Sequence, residues 1–311
     1  MNEETVISPR ASISFLPKWE RDFLFRFSTG LYYQPAFYRE MRDFNGELNK
    51  EIKAQRSIHF VLGTDYNFKA WNRPFKFVGE AYYKKMDNII PYEIDNVRIR
   101  YFAENSAKAY ATGLDLKVNG EFVKGVQSWI SLGFLKVAED IRNDFYYTYY
   151  NSDGEVIIPG YSANKTAVDS SKNSPGYIPR PSDQRFNLSL FFQDYFPNKP
   201  DLKMHMTFHY GTGLPFGPPS RIRYKDTLRM PSYLRVDVGF SKQLMGPESV
   251  LKENSPFRHF ESIWIGLECF NLLQRNNVIS YLWVTDVTSR QYAVPNYLTG
   301  RQLNLRVQFK F

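Results

Sequence analysis

The sequence predicts an all-β protein, an antiparallel transmembrane β-barrel present as about 11 long strands. Three observations predict it. Apolar and polar residues alternate with a period of two along nearly the whole chain, many alternating segments are about 9 to 13 residues long, and their connections alternate short and long. Successive side chains of a strand point to opposite faces, so such alternation means one oily face and one wet face. Soluble strands usually run about 5 or 6 residues. A tilted strand needs about 9 to 11 to cross the hydrocarbon layer.

In chain order, the first strand carries Ala11, Ile13 and Phe15 on its apolar face, and the second Phe23, Phe25, Phe27, Thr29 and Leu31. The third carries Ile58, Phe60, Leu62, Thr64, Tyr66 and Phe68, and the fourth Phe75, Phe77, Gly79, Ala81 and Tyr83. Next come Tyr110, Thr112, Leu114, Leu116 and Val118, then Ile130, Leu132 and Phe134, then Leu188, Leu190 and Phe192. Met204, Met206, Phe208 and Tyr210 follow, then Leu234, Val236, Val238 and Phe240, then Ile263, Ile265 and Leu267. The last strand is the cleanest: Leu303, Leu305, Val307, Phe309 and Phe311 alternate without error with Gln302, Asn304, Arg306, Gln308 and Lys310.

Residues 16–21, 71–73, 120–124 and 197–201 read as tight turns, and 36–55, 91–105, 141–182 and 214–232 as long connections. Bacterial outer-membrane barrels have short periplasmic turns and long outer loops. Residues 246–260 break the rhythm with a long segment where a short turn belongs, and 281–295 read as a β-rich loop above the membrane. With a periplasmic carboxy terminus, all four long connections fall outside. Eleven is an odd number, so the chain is expected to begin in an outer loop, as a barrel cut midway would, because bacterial single-chain barrels normally have an even count.

Composition narrows the classes. Among 311 residues the hydrophobic fraction is 43% and the aromatic fraction 17%, with 26 Phe, 22 Tyr and 5 Trp. Tyr32, Tyr33, Phe37, Tyr82, Tyr83, Tyr195 and Phe196 cluster near strand ends, where a headgroup zone accommodates an apolar ring with a polar tip. Packing in a soluble sandwich core is the competing explanation, since alternation alone does not say which face meets lipid. Mean hydropathy is −0.46, a value a barrel reaches because its lumen face is polar. Residues 1–8 lack the basic and apolar regions of a signal peptide, so an exported protein is expected to have lost or to lack them here. A single Cys269 excludes an internal disulfide and a Cys-based metal cluster. The net charge of +8 is scattered rather than gathered in one basic stripe, which argues against nucleic acid as a partner.

No catalytic, cofactor-binding or metal residues are expected. His205 and His209 lie four strand residues, roughly 13 Å, apart, too far for one ion without another segment. Neither they nor His59 and His259 sit in a recognisable catalytic context. Gly211-Thr212-Gly213 is followed by no Lys-Ser/Thr and opens no helix, so it reads as a strand end rather than a phosphate cradle. Asn164-Lys165-Thr166 fits a glycosylation sequon, which matters only in a eukaryotic secretory setting. Asp65, Glu80, Asp115, Lys117, Arg235, Asp237, Glu268 and Arg306 are expected to hydrate the lumen or pair with a plug. Tyr146, Tyr147, Tyr149, Tyr150 and Tyr161, in a long loop, suit stacking on sugars or catecholate rings.

Several segments resemble one family. Tyr297-Leu298-Thr299-Gly300-Arg301 before a strand ending in Phe311 is similar to the end of TonB-dependent receptors, and Ser8-Pro9-Arg10-Ala11-Ser12-Ile13-Ser14-Phe15 to a strand of their mid-barrel. Tyr32-Tyr33-Gln34-Pro35, Ala81-Tyr82-Tyr83-Lys84, Ala111-Thr112-Gly113-Leu114-Asp115, Gly211-Thr212-Gly213-Leu214-Pro215-Phe216 and Phe270-Asn271-Leu272-Leu273 match in order, over almost all of residues 1–311. The style resembles receptors of Bacteroidota. The resemblance implies a cell outer membrane location, surrounding outer-membrane lipid, and TonB-energised uptake of a large solute such as a siderophore, vitamin or glycan. It implies a barrel of roughly 22 strands around a plug, of which residues 1–311 resemble the carboxy-terminal half. The plug, the amino-terminal strands and the TonB-contacting segment are absent from this stretch. The terminal strand ending at Phe311 is similar to the signal read by barrel-assembly machinery. A passive porin or structural outer-membrane barrel is the alternative function, and a soluble β-rich binding protein a third.

Overall fold

A computed structural model describes residues 5–158, 161–196, 199–225, 228–246, 249, 255–288 and 290–311. Eleven strands form one antiparallel meander: β1 Arg10–Phe15, β2 Asp22–Gln34, β3 Gln55–Ala70, β4 Arg73–Ile89, β5 Ala107–Val123, β6 Val126–Ile141, β7 Phe186–Phe196, β8 Lys199–Gly211, β9 Tyr233–Met245, β10 Ser262–Phe270 and β11 Gln302–Lys310. Every strand pairs with its neighbours in sequence, and the short piece Ile178–Pro179 pairs beside β6. The sheet is open, with β1 and β11 as its edges.

Register follows the alternation. Phe27, Leu62, Ala81, Leu114, Phe134 and Phe186 lie directly opposite one another from β2 to β7, forming a continuous apolar row. Met204, Phe240, Leu267 and Leu305 form another from β8 to β11. These apolar side chains are not packed inward: Leu303 is 72% exposed, Leu305 65%, and Val307 and Phe309 48% each. In water each such side chain would forgo roughly 1.5–3 kcal/mol of burial, a cost that hydrocarbon around the sheet removes. Aromatic rings bracket the apolar face. At the short-turn end Phe23 stacks on Tyr66 at 4.1 Å, and Phe68 and Trp71 pack around Phe75. At the other end Tyr110 packs against Tyr83 and Tyr177. Phe75 and Tyr83 stand eight residues apart on β4, roughly 27 Å of strand before tilt, the scale of the ~25 Å band between aromatic girdles of outer-membrane barrels.

The turns explain the register. Ala70 pairs with Arg73 across Trp71 and Asn72, both at positive φ of 52° and 58°, the backbone of a two-residue hairpin turn whose twist matches its strands. The tight turn expected at 120–124 lies further on: β5 continues to Val123, which pairs with Val126 across Lys124 and Gly125 at φ 77°. Gly120 sits within the strand rather than in the turn, with the Phe75 ring over it, where a Cβ would meet Phe75 Cδ1 at 2.5 Å. Residues 197–198 of the next turn, 247–248 and 250–254 of the irregular segment 246–260, and 1–4 of the amino terminus lie outside the described residues.

Strands β3 to β6 are 16 or 17 residues long, beyond the expected length. Backbone pairing continues above the bilayer, where the hydrophobic alternation that reveals a strand in sequence is no longer needed. The long connections also carry hairpins: Tyr92–Asp95 with Arg98–Tyr101, Tyr146–Tyr150 with Asp169–Asn173, and Val278–Thr285 with Gln291–Tyr297. The last bears out the β-rich loop expected at 281–295, residue 289 lying outside the described ones. Met41, Ile52, Ile90, Tyr101 and Ala103 form a small core in the loops, and Ile89, Ala107, Ala109, Ile141 and Ile178 form one beneath them.

Candidate functional site

The polar face is the first part of the candidate site. Directly opposed residues place Asp65, Val78, Lys117, Ser131, Ser189, His209 and Arg235 in one row from β3 to β9, polar in all but Val78. All eight charges expected to face inward lie on this face, and most are paired. Asp65 binds Arg26 at 2.7 Å and Lys76 at 2.6 Å, and Arg26 reaches Glu80 at 3.4 Å. Arg235 binds Asp237 at 2.7 Å, and Glu268 meets Arg306 at 3.4 Å and His205 at 4.0 Å. Lys117 instead lies 5.6 Å from the Trp129 ring. His209 Nδ1 is 3.1 Å from Ser189 Oγ, and the His205 ring lies over Gly239, where a Cβ would come within 2.2 Å. The two histidines share a face but contact different partners, Ser189 and Glu268. Among the described residues no group of three His, Cys, Asp or Glu side chains could hold a metal ion.

At the long-connection end the loops fold over the top of this face. Glu139, on β6, is fully buried between Arg223 at 3.1 Å and Arg180 at 3.6 Å. Asp183, also fully buried, accepts from the Val137 backbone N–H at 2.7 Å, from Arg185 Nε at 2.7 Å and from Arg229. Buried carboxylates are tolerated only when paired and hydrogen-bonded, and these pairs pin residues 178–185, Arg223 and Arg229 to the wall. Glu93, in the hairpin above, accepts from the Arg221 N–H at 2.9 Å. Burial pushes its carboxyl above the usual range, while that hydrogen bond and nearby Arg100 oppose the rise.

An aromatic cleft lies beside this network. Phe216 stacks on Tyr281 at 4.3 Å, the Trp283 ring lies 6.1 Å from Phe216, and Glu93, Asn96, Pro218 and Met230 are among the other residues that line it. The rings fill most of the cleft themselves and leave about 20 Å³ between them, the room of about one water. The tyrosines expected to stack on ligand occupy a different hairpin. Tyr147 and Tyr149 are half exposed with rings 6.3 Å apart, Tyr146 packs on Tyr224, and Tyr161 is almost fully exposed. The sequence reading missed the cleft and both buried carboxylates. Gly211–Phe216 and the 281–295 hairpin are each legible in the sequence, but nothing along the chain signals that Phe216 and Tyr281 touch. Gly211 does end β8 as expected, and Gly213 lets the backbone pass close to the Met230 carbonyl, which a Cβ there would overlap.

An open meander with one lipid-suited face, one charged face and loops gathered at one end narrows the candidates to outer-membrane barrels. The family model described as TonB dependent receptor-like, β-barrel, matches residues 2–249. The chain belongs to that family. TonB-dependent receptor barrels reside in the bacterial outer membrane, and the family consists of receptors and transporters rather than enzymes.

Solved structures agree on the fold. The ferric yersiniabactin uptake receptor FyuA from Yersinia pestis is similar at TM-score 0.57 and 14% identity, covering 97% of this chain and 37% of its own. The siderophore receptor PiuA from Acinetobacter baumannii is similar at TM-score 0.56 and 16% identity, covering 97% and 35%. The copper transporter OprC is similar at TM-score 0.56 and 12% identity, covering 98% and 39%. This chain therefore spans a little over a third of the length of these receptors. No curated protein sequence matches it.

Proposed function

We propose that this chain forms the carboxy-terminal half of the barrel of a TonB-energised outer-membrane importer for a large solute, such as a siderophore, vitamin or glycan. The observation that carries the proposal is the polar face, which runs from β2 to β11 and holds ion pairs on β2–β4 and on β8–β11, beneath loops that gather an aromatic cleft and paired arginines at its mouth. A lipid-facing barrel needs its outside apolar, and its polar inner wall faces a water-filled or plugged lumen. The names of FyuA, PiuA and OprC support a siderophore or metal cargo for receptors of this fold. In this reading a plug supplied by another part of the receptor meets the charged face, and through it the TonB complex supplies energy. The exposed aromatic Phe311 at the end of β11 serves the barrel-assembly machinery. The Bacteroidota origin belongs to the same proposal and rests on the resemblance alone.

The whole receptor tests this. Reconstituted in a planar bilayer it is expected to stay closed, and cells producing it should take up their solute only with TonB and an energised inner membrane. Steady ionic conductance together with TonB-independent uptake would replace the importer with a passive porin.

A further inference from the structure

We propose that Asn45, at the tip of an outer turn, is a site of spontaneous deamidation, and that its conversion to aspartate and isoaspartate loosens the loops over the polar face. The sequence holds the tripeptide Asn-Gly-Glu twice, at Asn45-Gly46-Glu47 and at Asn119-Gly120-Glu121. In such a pair the backbone nitrogen of the glycine, unhindered by a Cβ, attacks the carboxamide carbon of the asparagine. A C–N bond forms, the nitrogen loses its proton to water, and ammonia leaves, which closes a cyclic imide. Water then opens the ring at either carbonyl, giving aspartate or an isoaspartate whose backbone runs through the former side chain. Either product adds a negative charge, a covalent change that alters the local physics. Because the chemistry is the same at both pairs, the fold decides between them.

One pair is open and the other enclosed. Asn45 and Gly46 are both exposed, and a Cβ on Gly46 would meet nothing within 4 Å. Gly46 sits at φ 87° in a turn closed by the antiparallel bridge of Arg42 with Leu48. Its N–H donates to the Asp43 carbonyl at 3.1 Å, a turn bond open to water. Among the described residues the Asn45 side chain has no hydrogen-bond partner. Asn119 and Gly120 instead lie inside β5, paired with Lys76 and Phe75 on β4 and with Trp129 and Ser128 on β6. Gly120 is buried against the Phe75 ring, and pairing on both sides blocks the peptide rotation that the attack requires unless the sheet opens. The turn at Asn45 is also a support. Asp43 Oδ1 accepts from the Asn45 N–H at 2.9 Å and from the Glu47 N–H at 2.8 Å. The Phe44 ring carries two guanidiniums, Arg100 at 5.0 Å and Arg221 at 4.5 Å. Arg100 also donates to the Phe44 carbonyl at 2.9 Å, and the Arg221 N–H to Glu93 at 2.9 Å. An extra backbone carbon after position 45 breaks the spacing these bonds need, and the new carboxylate joins Asp43 and Glu47 in one turn.

Peptide mapping by mass spectrometry of the complete receptor, aged in warm, mildly alkaline buffer, tests the site. The Asn45 peptide is expected to yield two products one mass unit heavier, one cut by an aspartate-specific protease and the other resistant. Asn45 should convert at least about tenfold faster than Asn119, whose strand must open first. In the denatured receptor the two should convert at similar rates. Hydrogen exchange across 92–101 should quicken in the converted receptor and stay unchanged in aged Asn45→Gln, which cannot follow the same ring closure. Equal rates at Asn45 and Asn119 in the folded receptor, or an Asn45 that stays intact while both convert in the denatured chain, would overturn the site. Unaltered exchange across 92–101 after conversion would overturn its effect on the loops.

Discussion

The membrane-spanning sheet and the loops above it handle apolar and charged residues in opposite ways. In the sheet, Leu303, Leu305 and Phe309 are left exposed, while Arg26, Asp65 and Lys76 pair on the other face with partial access to water. In the loops, Ile90 and Ala103 are almost completely buried and Asp183 is buried among arginines, as is Glu139 at the outer end of β6 beneath them. The loops follow the rules of a small soluble domain, whereas the sheet inverts them because its solvent on one side is hydrocarbon. Charges in the two regions therefore matter differently: those on the polar face are adjustable, and those under the loops are structural.

The largest expected effect lies under the loops. Asp183→Ala leaves Arg229 and Arg185 without their shared carboxylate and should cost about 3–5 kcal/mol locally, seen as fast amide exchange across 178–185 in the intact receptor. Retained protection there would mean that the two regions do not differ as described. Next is a neighbouring pair on β6. Leu132 opposes Leu116 and Leu188 on the apolar face, and Ser131 opposes Lys117 and Ser189 on the polar one. Leu132→Arg should lose roughly 2–4 kcal/mol near the bilayer midplane, while Ser131→Arg should be close to neutral. Denaturant unfolding of the receptor in lipid measures both.

A smaller effect is expected at Asn96, whose side chain accepts from Asn296 and from Ser280 Oγ at 3.4 Å, tying two hairpins that are far apart in sequence. Asn96→Ala should cost roughly 1–3 kcal/mol of that contact and widen the distance between spin labels on the hairpin tips. An unchanged distance would show that apolar packing alone holds them. The smallest effect is one of pH. Because burial raises the Glu93 carboxyl, its ionisation opposes the folded loop. Protection of the 92–101 hairpin should therefore be greatest below the ordinary carboxylate range and decline as pH rises through the raised value. Glu93→Gln should flatten that slope, and a slope of opposite sign would contradict the burial argument.

How legible each region was follows from the same contrast. Period-two alternation is imposed by having lipid on one side and water on the other, so Leu303 to Lys310 could be assigned to faces residue by residue, as could the strands upstream. The inward placement of Asp65, Glu268 and Arg306 was readable for that reason. Their partners were not, since Arg26 and Lys76 meet Asp65 from different strands, and pairing depends on register that a single segment does not encode. The loops were harder still. Glu139 and Arg223 are 84 residues apart, and Asn96 and Asn296 are 200. Gly120 shows the remaining error: a glycine near a strand end reads as a turn, yet here it makes room for Phe75.

The central claim is most directly tested by spin labels placed one at a time along β11 from position 303 to 310 in the complete receptor, with Cys269 first replaced by Ser. Oxygen dissolved in lipid should relax labels at Leu303, Leu305, Val307 and Phe309 more strongly than a water-soluble nickel chelate does, and labels at Asn304, Arg306 and Gln308 should escape it. A reversed pattern, or one without alternation, would mean that the oily face does not meet lipid.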